Sequence, residues 1–214
     1  MDRWLINVGR LALVFVVGFT VRHYGHGLFH TASTFPDSTD APLSVGNAAD
    51  IPAISDIPDV QVAYYDVDAT DAAAIRAEMN DKRPHDAGGN HFDALSNWYY
   101  RWHWDPAPEG GCGNANVVVD FDARVILPRL THPNALTPQV AGAWNAYIAA
   151  VKKHQSVQIR QAYAGRQWVA NEVRNATCED ANAAGTRAAA DIEKQIEAYD
   201  TSTNHGAIEG AVFG

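Results

Sequence analysis

TPQVAGAWNAYIAAVKKHQSVQIRQAYAGRQWVANEV, residues 137–173, is the stretch on which the architecture turns. Thr137 followed by Pro138 pairs an N-cap hydroxyl with a proline at the first helical position, where its missing N–H costs nothing. Trp144, Tyr147, Ile148 and Val151 then recur at steps of three and four, the period of one apolar helix face. The pattern predicts an unusually long amphipathic helix with His154 near its middle.

Working outward, a second helix is expected over about 179–199, and the tail 200–214 is polar with several glycines. Upstream, Val60 to Val67 has strand composition, and Thr70 or Asp71 can cap a helix ending near Lys82-Arg83-Pro84. Asn97 to Asp105 alternates, with Trp98, Tyr100, Trp102 and Trp104 on one face and Asn97, Tyr99, Arg101 and His103 on the other. Four rings on one face can stack a ligand, but packing against a helix is the commoner use of such a face. Asn116 to Leu127 alternates as well, with Val117, Val119, Phe121, Val125 and Leu127 opposite Asp120, Asp122 and Arg124. Strand, helix, strands and two helices predict an α+β fold, a small antiparallel sheet packed on long helices.

The N-terminal region has a different composition. After Arg3 and Arg10 comes the uncharged run Leu11 to Val21, ended by Arg22. Counted from Trp4 with Arg10 snorkelling, the apolar stretch approaches the roughly 20 residues that cross a bilayer. No small-residue cleavage site follows at the usual distance. Residues 1–30 are therefore read as an uncleaved membrane helix, or a secretory signal if cut. Basic residues before it and Asp37 and Asp40 after it put the rest of the chain across the inner membrane in the periplasm. Residues 31–58, with four prolines among Ser, Thr, Asp and Ala, read as a linker, and 59–214 as the folded domain. His23, His26 and His30 sit at helix-like intervals beyond the apolar run and read as interfacial flanks. A net charge of −9, with no basic cluster larger than the isolated pairs Lys82-Arg83 and Lys152-Lys153, argues against a nucleic-acid partner.

Several separated stretches together carry a resemblance. They are Tyr65-Asp66-Val67, Trp102-x-Trp104, Leu127-Pro128-Arg129-Leu130, Trp144-x-x-Tyr147 before His154, and Tyr199-Asp200-x-x-Thr203-x-His205-Gly206. In this order, over residues 60–214, they resemble the bacterial family of predicted secreted zinc-dependent proteases, long catalogued as a domain of unknown function. The resemblance implies a zincin-like fold with H-E-x-x-H on the long helix and a further histidine in the tail. In that motif two histidines one turn apart bind zinc, and the glutamate is general base to the metal-bound water.

Carried over residue by residue, His154 takes the place of the first ligand and His205 that of the tail histidine. Gln155 stands at the general-base position and Gln158 at the second ligand. An amide accepts no proton near neutral pH, and its oxygen is a poor zinc ligand beside imidazole or carboxylate. His154 and His205 are two ligands where catalytic zinc usually has three. His85, His91, His103 and His132 precede the helix, and none forms an i, i+4 pair with another. The resemblance also implies a disulfide between Cys112 and Cys178.

The expectation is a membrane-anchored periplasmic protein with a catalytically inactive zinc-protease-like domain. It would serve as a binding module for a protein partner or as an accessory subunit of a membrane complex. No catalytic residue and no cofactor are expected, zinc at His154 and His205 being the one for which the pattern leaves room. The alternative is a zinc metallopeptidase with rearranged ligands that cleaves envelope proteins.

Overall fold

The computed structural model describes residues 39–86, 88–105, 107 and 112–214. The proposed membrane helix at 1–30 and the first part of the linker lie outside these residues. Among the described residues no helix is long and apolar enough to cross a membrane.

The order of elements is β1 (Leu43–Val45), β2 (Val60–Val67), α1 (Ala72–Lys82), β3 (Leu95–His103), β4 (Val118–Leu130), α2 (Pro138–Asn175) and α3 (Ala181–Ser202). The fold is α+β, as the pattern predicts. Helix α2 begins at Pro138, with the Thr137 hydroxyl accepting from the Val140 N–H, and its 38 residues extend about 57 Å. Helix α3 packs along it, and their approach is close enough that a Cβ on Gly185 would lie 2.8 Å from Val173 and 2.9 Å from Trp102.

The sheet differs from expectation. Its order is β1-β2-β4-β3, with β1 and β3 antiparallel to their neighbours but β2 and β4 parallel, Val60 opposite Ala123 through to Val67 opposite Leu130. It is a mixed sheet, because the chain crosses over through α1 and β3 before β4 returns alongside β2 in the same direction. The two central strands are buried on both faces over part of their length, so alternation is lost there. Val62 to Tyr65 and Val125 to Pro128 are buried without a break.

Within 31–58, residues from Leu43 onward belong to the fold. Strand β1 adds an edge to β2, and Ile51, Ile54 and Ile57 are almost wholly buried. The three isoleucines, at a spacing of three around the 3-10 turn Pro52–Ile54, share one apolar side that holds this segment to the core. The tryptophan-bearing face of β3 packs against the helices. Tyr100 donates its hydroxyl proton to the Ala162 carbonyl of α2 and Trp102 its indole N–H to Asn182 of α3.

Asp93, just before β3, joins three elements. It receives a two-pronged bond from Arg76 of α1 at 2.6 and 2.7 Å and the Tyr147 hydroxyl of α2 at 3.0 Å. Its own carbonyl accepts the Tyr65 hydroxyl of β2. Burial raises the Asp93 pKa, but the Arg76 contacts outweigh it and hold the carboxyl below its ordinary value. Its stabilising contribution is therefore present above the unfolded carboxylate value of about 4 and is lost as pH falls through the lower folded value. Asp93→Ala should cost about 2 kcal/mol at neutral pH, since it leaves Arg76 without its anion. In urea denaturation the gap between wild type and variant should close as the pH is brought toward 2; a gap constant with pH would remove Asp93 from this role.

Candidate functional site

The i and i+4 positions of a helix share one face, and His154 and Gln158 do so on the side of α2 that meets the end of α3 and the tail. Here the chain leaves α3 at Ser202, passes Asn204 and His205 with φ of 50° and 54°, and turns at Gly206 with φ of 82°. Left-handed backbone is costly at the two residues with side chains. Gly206 has a second reason to be glycine, because a Cβ there would stand 3.0 Å from the His154 ring.

His154 is 2% exposed and held from both sides. Nδ1 lies 2.8 Å from Glu209 Oε2 and Nε2 lies 2.9 Å from Asp200 Oδ1, while the Tyr199 ring stacks on the imidazole at 5.2 Å. Two carboxylates accepting from opposite edges require both nitrogens to carry protons, so the ring is an imidazolium. Burial pulls its pKa down, but the bonds to Asp200 and Glu209 prevail and raise it above the ordinary value.

Asp200 accepts from three groups. Besides His154, it receives the Gln158 amide at 2.9 Å and His205 Nδ1 at 2.6 Å. Gln158 Nε2 and His154 Nε2 lie 3.0 Å apart, but both donate to one oxygen, so that contact sets N–H beside N–H. Glu209 is completed by the Tyr199 hydroxyl at 2.8 Å. Burial raises both carboxyls, but His154 with His205 at Asp200, and His154 with Tyr199 at Glu209, lower them below their ordinary values. His205 is half exposed, edge-on to Phe92.

Gln155 is part of a different face. Buried beside the sheet, it accepts the Ser96 hydroxyl of β3 at 2.5 Å. The side chain at 155, where the resemblance implies a general base, is thus an acceptor locked to the edge strand.

The structure brings His154, Gln158 and His205 together and adds Asp200 and Glu209, which the sequence reading passed over. The Tyr199-Asp200 pair stood within the quoted tail motif, so a signal was there. As a zinc site the set fits poorly. His154 has no free lone pair while both carboxylates hold its protons, and Gln158 turns a donor toward the centre. Among the described residues no three or more His, Cys, Asp or Glu side chains are arranged to hold a metal. His103 pairs loosely with Asp120 on the exposed end of β3, and His132 lies exposed before α2.

The expected disulfide is not formed. Cys112 and Cys178 are free thiols, and Cys178 is hydrogen-bonded to Cys112, which raises its pKa. They meet because Asn114 donates to the carbonyls of Val173 and Ala176, seating the 112–116 segment on the turn between α2 and α3.

A family model described as a bacterial protein of unknown function (DUF922) matches residues 62–206. No curated protein and no solved structure matches the chain.

Two outcomes are expected from this geometry. The stability from the His154 cluster should be full between the unfolded carboxylate pKa of about 4 and the unfolded imidazole pKa of about 6.5. It should fall as pH drops through the lowered values of Asp200 and Glu209, and as pH rises through the raised value of His154. Chemical denaturation across pH should show the alkaline loss in wild type and not in His154→Gln, and His154→Ala should cost about 3 kcal/mol near pH 6. Separately, oxidised glutathione should join Cys112 to Cys178 within one chain. A disulfide-linked peptide pair in non-reducing mass spectrometry checks this, and thiols that stay free would place them out of reach.

Proposed function

The chain belongs to the DUF922 family of bacterial proteins, whose function is unknown, and from the chemistry of its own site we propose that it is a zinc-protease-like module that binds a protein partner without cleaving it. The observation that carries this reading is that carboxylates of Asp200 and Glu209 engage both nitrogens of the His154 ring. A metal-bound histidine offers one nitrogen lone pair. Two further features support it: Gln155 is not a base and is bonded to Ser96, and Gln158 donates to Asp200 where a second ligand would accept.

The same proposal includes the N-terminal segment. The uncharged run Leu11 to Val21 behind Arg3 and Arg10 supports an anchor in the inner membrane, with the domain on the periplasmic side. A protein that keeps such a domain at the membrane without hydrolysis serves as a docking or accessory subunit of an envelope complex.

One observation favours a second reading, a metallopeptidase with rearranged ligands. Asp200 stands between His154 and His205 and touches both, and two histidines with one carboxylate are a known catalytic zinc set. Metal could occupy that position only by displacing the proton shared with Asp200.

Elemental analysis of the dialysed full chain, together with cleavage of an unfolded protein substrate, separates the two. Under our reading zinc is far below one equivalent and no chelator-sensitive cleavage is seen. Zinc near one equivalent, with cleavage lost in both His154→Ala and Asp200→Ala, would establish the second reading instead.

A further inference from the structure

We propose that His85 and His91 form a two-histidine site for a divalent transition-metal ion, on the hairpin between α1 and β3. This inference stands apart from the reading of the His154 cluster, since the hairpin pair uses no residue of α2, α3 or the tail.

The backbone places the two side chains together. The Phe92 N–H donates to the Pro84 carbonyl and the Asp86 N–H to the Asn90 carbonyl, both at 2.9 Å. Those two bonds bracket the antiparallel bridge between His85 and His91. The histidines are therefore a non-hydrogen-bonded cross-strand pair, whose side chains share one face and approach more closely than those of a hydrogen-bonded pair. Their ring centroids are 5.6 Å apart. Two imidazoles on one tetrahedral ion, with metal–nitrogen bonds of about 2.0 Å, hold their centroids roughly 5 Å apart. The ring planes meet at 66°, edge toward face, so a ring must turn for both Nε2 atoms to address one ion.

The tautomers favour a metal as well. His85 Nδ1 lies 3.1 Å from the Asp86 carbonyl and His91 Nδ1 3.4 Å from the Arg83 carbonyl. A carbonyl only accepts, so each Nδ1 carries a proton, and in the neutral ring that leaves Nε2 with the lone pair. Metal-bound histidines are oriented in this way, by a main-chain carbonyl on the other ring nitrogen. Asp86 accepts both the Asn90 N–H and its side-chain amide at 2.8 Å, and Gly89 takes φ of 79°, open to glycine at little cost. His91 is exposed and His85 half-buried, so an ion reaches the pair from solvent.

Two imidazole nitrogens select copper(II), nickel(II) and zinc over calcium and magnesium, with copper(II) held most tightly. The remaining coordination positions are left to water or to an outside donor. The site is thus suited to capturing or passing on an ion, and not to enclosing one.

The test uses metal-stripped full chain titrated with copper(II), zinc and calcium, followed by calorimetry and by the copper electron-spin spectrum. We expect copper(II) binding with nitrogen hyperfine structure, at least tenfold weaker in both His85→Ala and His91→Ala, unchanged in His154→Gln and His132→Ala, and no response to calcium. Acylation of histidines by diethyl pyrocarbonate, mapped by peptide mass, supplies a readout on wild type alone. Copper(II) should protect residues 85 and 91, and this separates the hairpin from the histidines at 23, 26 and 30. Binding unchanged by both hairpin substitutions, or protection found elsewhere and not at 85 and 91, overturns the proposal. Ion binding lost only in His154→Gln overturns it too, and counts against the non-catalytic reading of that cluster as well.

Discussion

A charged imidazole with 2% of its surface exposed is tolerable only if both of its protons are taken, and the arrangement around His154 follows from that requirement. Asp200 comes from the last turns of α3 and Glu209 from the turn beyond it, so satisfying one side chain of α2 fixes the end of α3 and the tail together. The left-handed backbone at Asn204 and His205 bends the chain back far enough for Glu209 to reach the second nitrogen. Tyr199 serves twice, with its ring on the imidazole and its hydroxyl on Glu209. Local backbone strain here is offset by ion pairing, as is usual where a turn is dictated by what it must contact.

Asp93 performs the corresponding task two turns earlier along α2, joining it to α1 and β2 through Arg76, Tyr147 and the Tyr65 hydroxyl. The helix is thus held by two polar anchors, seven residues apart at Tyr147 and His154, with the apolar stripe of Val151, Ile159, Ala162 and Val169 packed along its length. Seven residues are nearly two full turns, so both anchors lie on one side of the helix. Successive residues are turned by about 100°, which is why Gln155 meets Ser96 on the sheet while His154 meets the tail.

How legible this was depended on the range of the interaction. The start of α2 could be read from Thr137-Pro138, and the strand at 60–67 from composition, because caps and periodicity are local. The parallel pairing of β2 with β4 could not, since alternation within a strand says nothing of its neighbour. The role of 43–57 was hidden by its prolines and aspartates, although Ile51, Ile54 and Ile57 stood at an even spacing. His85 and His91 were set aside because helical spacing was the criterion, whereas six residues with a Gly-Gly-Asn turn between them is a hairpin spacing. Glu209 carried no signal, for its role exists only once Gly206 has turned the chain.

Gln158 decides what the cluster can hold. Its amide nitrogen lies 3.0 Å from His154 Nε2, and both give a proton to the same Asp200 oxygen. A second imidazole in that place would set two rings with their nitrogens nearly in contact beside one carboxylate. Two imidazoliums there would repel, so one ring would shed its proton and present a lone pair. A neutral amide raises no such conflict: it donates, stays uncharged, and lets His154 keep both protons. With glutamine at 158 the place therefore suits a proton, which the carboxylates of Asp200 and Glu209 are set to hold on His154.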